Sequence, residues 1–368
     1  MIARRVLVAL AFILLMAGTG AASDAAGASW RSAPLTPRHG VLLGAYVDDV
    51  GKWVDNATAE AGVTRFETTI ARTLGIDHHY YAWTDRFPSG LEQWDVAGDR
   101  IPMISWAGTN LDAILSGRYD AMIRQRADDV RALDAPVFLR WGWEMNGNWS
   151  PQDGSHNNDS GTSNGPRKYV AAWRHIHDIF TAAGATNAVW VWSPNASDVP
   201  AEPWNHWTRY YPGDAYVDWV GIDGYNWGTS RSWSSWTTLA SLIQPIYDDY
   251  AGRKPIMIAE TGSAEQGGSK AAWLGDVRSM LPTRFPGVAA LVYFETNKET
   301  DWSVRSSPAS LASFRTLASD SYFMQSASRT VAAVPPKTTA PPQPPAPGAH
   351  QPPAFGFAAS AGTFPGIR

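Results

Sequence analysis

Eight short apolar runs, at residues 41–45, 63–67, 101–106, 136–141, 188–192, 217–222, 255–259 and 288–294, punctuate this chain at intervals that leave room for a helix between each and the next. The intervening segments carry helical spacing, as at 52–61, 119–133, 167–183, 236–250, 270–281 and 308–318. Runs that are apolar throughout, instead of alternating, belong to strands buried on both faces, which is the condition of a parallel sheet covered by helices. Eight strand-then-helix units predict an α/β fold of the (β/α)8 TIM-barrel type, with a doubly wound open sheet as the alternative. The barrel is preferred because polar and aromatic residues follow nearly every run. They converge on one mouth if the sheet closes and scatter if it stays open.

Two of these runs end on an acid. Residues 136–141 lead through Arg140-Trp141-Gly142-Trp143 into Glu144-Met145-Asn146-Gly147-Asn148-Trp149, and 255–259 lead directly into Glu260-Thr261-Gly262. Carboxylates delivered to the carboxyl ends of two barrel strands are what a two-carboxylate glycosidase requires. The environments differ as that chemistry demands. Glu144 lies among Trp141, Trp143 and Trp149, apolar surroundings that favour the protonated acid, while Glu260 is followed by polar neighbours that suit the ionised form. An ordinary solvated loop acid beside core tryptophans is the competing reading of Glu144 alone; the repetition of the pattern at Glu260 argues against it.

The remaining candidates gather round this pair. Tyr225 would donate a hydrogen bond to Glu260 or be a plain rim tyrosine. Asn146 would touch a sugar hydroxyl or fold its own loop. Arg140, just inside its strand, needs an anionic partner if buried, and Glu260 is the nearest prospect. Trp106, Trp192, Trp227 and Trp302, with Trp143 and Trp149, are stacking candidates for substrate, each with a core role as the alternative; Asp223 and Asn195 are weaker candidates for a place in the site. Nineteen tryptophans exceed what one core needs, and exposed indoles suit a ligand with apolar faces and polar edges, as sugars have.

Composition excludes other chemistries. With no cysteine there is no thiol nucleophile, iron–sulfur cluster or Cys-type zinc site. A net charge of −4 with both signs interspersed offers no basic stripe for nucleic acid and no cationic face for anionic lipid. His78-His79 and His175-x-His177 resemble metal ligands only superficially and no H-E-x-x-H is present, so neither metal nor cofactor is expected. Phosphate-cradling loops and dinucleotide fingerprints are absent as well, and the G-x-S-x-G spelled by Gly161-Thr162-Ser163-Asn164-Gly165 follows a polar stretch and no apolar run, so it is not a nucleophile elbow.

Three segments are expected. Arg4 and Arg5, an apolar stretch over 6–17 and then small residues read as a secretory signal peptide over 1–28, too short for a comfortable membrane span. Residues 29–325 form one catalytic domain, large enough to bury roughly three quarters of its unfolded surface. From 326 to 368 the chain turns proline-rich, which predicts an unpacked tail. A secreted, extracellular, monomeric protein is expected. Asn148-Trp149-Ser150 would place a glycan in the cleft of a eukaryotic product, so the source is read as bacterial.

At these residues the chain resembles glycoside hydrolase family 26, a family of retaining β-mannanases built on the (β/α)8 barrel. The motifs that carry the resemblance are Arg140 with Glu144-Met145-Asn146-Gly147 and Trp149, then Trp192-Ser193-Pro194-Asn195, Gly221-Ile222-Asp223-Gly224-Tyr225 and Ile258-Ala259-Glu260-x-Gly262, spread over about residues 40–320. The resemblance implies Glu144 as acid/base, Glu260 as nucleophile and Tyr225 as the residue orienting it, with β-1,4-mannan as the leading substrate. One position departs: family mannanases commonly carry His immediately before the acid/base, where this chain has Trp143. Mixed-linkage β-glucan, β-xylan or an envelope polysaccharide are therefore alternative substrates, and a non-catalytic polysaccharide-binding barrel is the alternative from another class.

Overall fold

The computed structural model describes residues 31–48 and 55–327. The expected signal peptide, and the expected tail apart from its first two residues, lie outside them. Eight parallel strands close into a barrel in sequence order: β1 Leu42–Asp48, β2 Ile76–Tyr81, β3 Ile101–Trp106, β4 Val137–Trp141, β5 Ala188–Trp192, β6 Trp219–Asn226, β7 Ile256–Ser263 and β8 Val288–Thr296, with β8 pairing back onto β1. Round it run α1 Asn56–Ile70, α2 Gly90–Ala97, α3 Leu111–Leu115, α4 Asp120–Ala132, α5 Gly154–Asn157, α6 Gly165–Ala182, α7 Leu239–Tyr250, α8 Lys270–Arg284 and α9 Pro308–Ser319. This is the (β/α)8 barrel.

Local sequence sets the helix starts. Asp55 accepts from the Thr58 N–H at 2.8 Å, and Ser89 and Glu92 cap α2 reciprocally. Thr238, Ser269 and Ser307 do the same for α7, α8 and α9. One strand assignment is corrected. Residues 63–67 lie inside α1, where Val63, Phe66 and Ile70 form its buried stripe at helical spacing. The second strand is instead Ile76-Asp77-His78-His79-Tyr80-Tyr81, whose polar side chains hid it from a search for apolar runs.

Strand parity governs what each side chain can do. Inward positions stack in layers: Leu42, Ile76, Ile101, Met103, Phe138, Val189, Trp219, Met257 and Ala290 pack the lower interior. One step further along the strands the inward residues turn polar, with His78, Ser105, Arg140 and Asp223 all buried. Outward positions, among them Val137, Leu139, Ile104, Trp190 and Ile258, pack under the helices in a separate and larger cluster. The polar layer is the floor of the mouth.

Candidate active site

Arg140 is the hub of that floor. Fully buried, it donates to both oxygens of Asp223 at 2.9 and 3.0 Å, to Ser105 Oγ at 2.7 Å and to Oε1 of Glu260. Burial alone would lower the guanidinium's pKa, but Asp223 and Glu260 more than offset it and hold the charge in place. Ser193 gives Asp223 a further bond at 2.9 Å. His78, hydrogen-bonded to Ser105 at 2.6 Å, is driven well below its usual pKa by burial and by the Arg140 charge, so it stays neutral. One cation therefore faces two carboxyls in the floor before Glu144 is counted.

Glu260 reaches this hub through an irregularity. In the β6–β7 ladder Ile222 pairs with Ile258 but Asp223 pairs with Glu260, so Ala259 is the extra residue of a bulge. A bulge re-aims the side chain that follows it, and here it turns a 5% exposed carboxyl toward Arg140 and Tyr225. Tyr225 donates to Oε2 at 2.6 Å, so each oxygen of Glu260 has its own donor.

Glu144 stands three residues beyond β4 with φ 53°, a left-handed backbone that non-glycine residues adopt at some strain. Two bonds hold it there: its N–H donates to the Ser193 carbonyl at 2.8 Å, and its carbonyl accepts from Gly147 N–H at 2.8 Å. Trp149 folds back across Gly147 and donates its indole N–H to Glu144 Oε2 at 2.9 Å. Burial pushes the Glu144 carboxyl up to about 8, and the charge of Glu260 across the mouth adds to the rise; Trp149 and Arg140 oppose it. At neutral pH the arrangement thus offers one protonated acid and one acid held by a cation and a phenol.

The surrounding aromatic wall is only partly the expected one. Trp143 is half-buried, 5.0 Å from the Arg140 guanidinium and 5.3 Å from the Tyr80 ring, and it presents a face to the mouth together with Trp149 and Tyr225. Three other tryptophans do not serve as platforms. Trp106 and Trp192 are outward-pointing and fully buried, Trp106 stacked on Trp83 at 4.6 Å and Trp192 edge-on to Tyr211 and Tyr250. Parity decides this, since Ser105 and Ser193 next to them point in. Trp302 is 1% exposed and lies behind Gly262, supporting Tyr225 and Trp227 from beneath.

Asn146 is also corrected. It is buried, and its amide is spent on the protein: Nδ2 donates to the Asn195 carbonyl and Asp198 Oδ1, both at 2.9 Å, while Oδ1 accepts from Asn195 N–H at 2.9 Å. It folds the loop and offers nothing to a ligand. Asn195 forms a bridge with Asp223 beside the site. Tyr80 was missed because its strand was missed. Tyr46 and Phe294, stacked on each other at 5.1 Å, pack against Tyr80 at 4.9 and 6.4 Å and extend the same wall onto β1 and β8.

Sequence comparison meets this geometry from the other side. The signature of glycosyl hydrolase family 26 matches residues 76–247, from β2 into α7. Endoglucanase H of Acetivibrio thermocellus is 38% identical over 272 residues, 72% of this chain and 30% of that protein. The chain belongs to glycosyl hydrolase family 26. A mannan endo-1,4-β-mannosidase of Bacillus subtilis is 27% identical over 205 residues, 53% of this chain and 50% of its own. The chain therefore spans half or less of the length of either relative. Among solved structures, a Bacillus subtilis mannanase superposes with a TM-score of 0.55 at 22% identity, covering 77% of this chain and 86% of that one, a likeness of fold.

The family 26 match contains Glu144, Arg140, Asp223 and Tyr225 but stops short of Glu260. Glu260 is tied to the family 26 segment physically, by its register opposite Asp223 and by its bonds to Arg140 and Tyr225. Among the described residues no helix is long and apolar enough to cross a membrane.

Proposed function

We propose that this family 26 protein is an endo-acting, retaining β-glycanase in which Glu144 is the acid/base and Glu260 the nucleophile. The observation that carries the reading is the contrast within one mouth: a carboxyl pushed up to about 8 by burial, and a second gripped by Arg140 and Tyr225. In the first step Glu260 forms a bond to the anomeric carbon as the glycosidic C–O bond breaks, and the Glu144 proton passes to the leaving oxygen. In the second, Glu144 takes a proton from water, whose oxygen displaces Glu260 and frees the sugar. Arg140 and Tyr225 keep Glu260 aimed throughout.

For substrate we place a β-glucan with 1,4-linkages, including mixed-linkage glucan, ahead of β-1,4-mannan. Trp143 supports this, since it sets a flat indole beside the reacting position where the mannanases of the family commonly present an imidazole. The 38% identity to an endoglucanase, against 27% to the mannosidase, supports it from a second direction. The protein is assayed on lichenan, carboxymethylcellulose, glucomannan, galactomannan and β-xylan by release of reducing ends. Faster release from the glucans than from galactomannan is expected, and the reverse order returns mannan to first place. No release from any of them, with oligosaccharide binding that survives loss of both glutamates, is the result of a non-catalytic binding barrel. Glu144→Gln and Glu260→Ala should each lower kcat by several orders of magnitude while leaving the circular dichroism spectrum unchanged.

Export to the extracellular space belongs to the same proposal, supported by the paired arginines and apolar stretch at the amino terminus. So does a monomeric state. Amino-terminal sequencing of protein from culture medium, and sedimentation of the purified chain, test the two.

A further inference from the structure

On the outer face of β2, beneath α2, three side chains converge without a complete set of partners. Asp77 and His79 are two residues apart on one strand and so point the same way, and Asp95 approaches them from α2. Their donor atoms lie within 4.8 Å of one another, and the exposures of Asp77, His79 and Asp95 are 1%, 8% and 0%. Neither oxygen of Asp77 has a hydrogen-bond partner, nor does Oδ1 of Asp95. His79 Nε2 meets Asp95 Oδ2 at 2.7 Å but stands 3.6 Å from Asp77.

Buried carboxylates without donors are costly, and charge left unpaired at such depth is compensated by some cation or neutralised by protons. The nearby arginine acts on Asp77 and Asp95 through its charge and gives neither a hydrogen bond. Arg100 is committed to Glu67 through bonds of 2.8 and 2.7 Å, and Glu92 is occupied by Tyr81 and the Ser89 cap.

We infer that Asp77, His79 and Asp95 form a structural site for a divalent first-row transition ion, with zinc as the reference metal. Two carboxylates balance a +2 charge, and an imidazole nitrogen beside two carboxylate oxygens suits zinc or manganese; calcium, which takes six to eight oxygens, fits a three-residue set poorly. The ion would give the bare Asp77 and Asp95 oxygens their partner and pin α2 to β2. The inner face of that same strand carries His78 and Tyr80, which lie against Arg140 at 3.4 Å each, so the pin would steady one wall of the catalytic mouth without touching substrate.

The test uses the full chain without a polyhistidine tag, stripped with chelator and dialysed against zinc, with elemental analysis as the readout. One zinc per chain is expected, with none gained from calcium, and a rise in Tm of about 5 °C at a hundredfold excess over Kd. Asp77→Asn, nearly isosteric, should weaken binding by more than the ~10–100-fold that losing an outer-shell partner costs. If that variant does not fold, Asp95→Asn replaces it. A wild-type chain that retains no zinc overturns the inference, as does an Asp77→Asn chain that binds zinc like the wild type. A cluster filled only by protons gives the first of these results and tolerates Asp77→Asn without loss of Tm.

Discussion

Trp149 donates its indole N–H to Glu144 at 2.9 Å, and that bond works against the burial that raises the Glu144 carboxyl to about 8. The acid that must be protonated to catalyse is lost as pH climbs through its pKa, so kcat/KM should fall along an alkaline limb centred near pH 8. Trp149→Phe removes a donor that favours the ionised form. The limb should then move to higher pH. Gly147→Ala should act likewise, because a Cβ there would come within 2.5 Å of the Trp149 ring and drive it from its seat. A pH profile of kcat/KM for the three proteins checks both shifts.

Arg140 carries two carboxyls at once. Replacing it with Met leaves Asp223 and Glu260 facing each other in a buried site, which should cost roughly 3–5 kcal/mol of stability. Adding Asp223→Asn should restore part of that loss, as one uncompensated charge goes. Denaturant midpoints of the single and double variants measure it.

Asn146 ties its own loop to the β5–β6 connection, and its carbonyl accepts from Asn205 Nδ2 at 2.8 Å and from Val199 N–H at 2.8 Å. We expect Asn146→Ala to lower stability by about 1–3 kcal/mol through the donors and acceptor it abandons. KM should hold. Thermal melts alongside initial rates separate this from a sugar-contacting role, which would raise KM in a protein of unchanged Tm.

The indoles divide in the same way. Trp192→Ala should destabilise the fold by about 3–5 kcal/mol, as expected for emptying a core site, with little change in KM. Trp143→Ala, at the mouth, should raise KM in a chain that melts near the wild-type temperature. Parallel melting and Michaelis–Menten curves decide between the assignments.

Which of these roles could be foreseen depended on the kind of signal. The barrel was legible because strands buried on both faces write unbroken apolar runs, and 101–106 and 188–192 coincide with β3 and β5. The second strand was not, since Asp77 and His79 face a buried polar seam and His78 and Tyr80 face the floor, leaving no apolar run to find. Glu144 and Glu260 stood out because an acid at the end of such a run is exceptional. The tryptophans were misjudged for want of parity: once Arg140 is known to point inward, Trp141 must point outward, and the same count buries Trp106 and Trp192. That Asn146 and Asn195 belong to one another could not be read, because their contact spans two loops with no periodic pattern.

The backbone of Glu144 hangs from the carbonyl of Ser193, and its loop is laced to residues 195–205 through Asn146. The proton donor thus takes its position from the neighbouring strand's exit more than from its own. Lengthening or trimming that adjoining connection to admit a bulkier polymer would therefore be transmitted to the reacting centre.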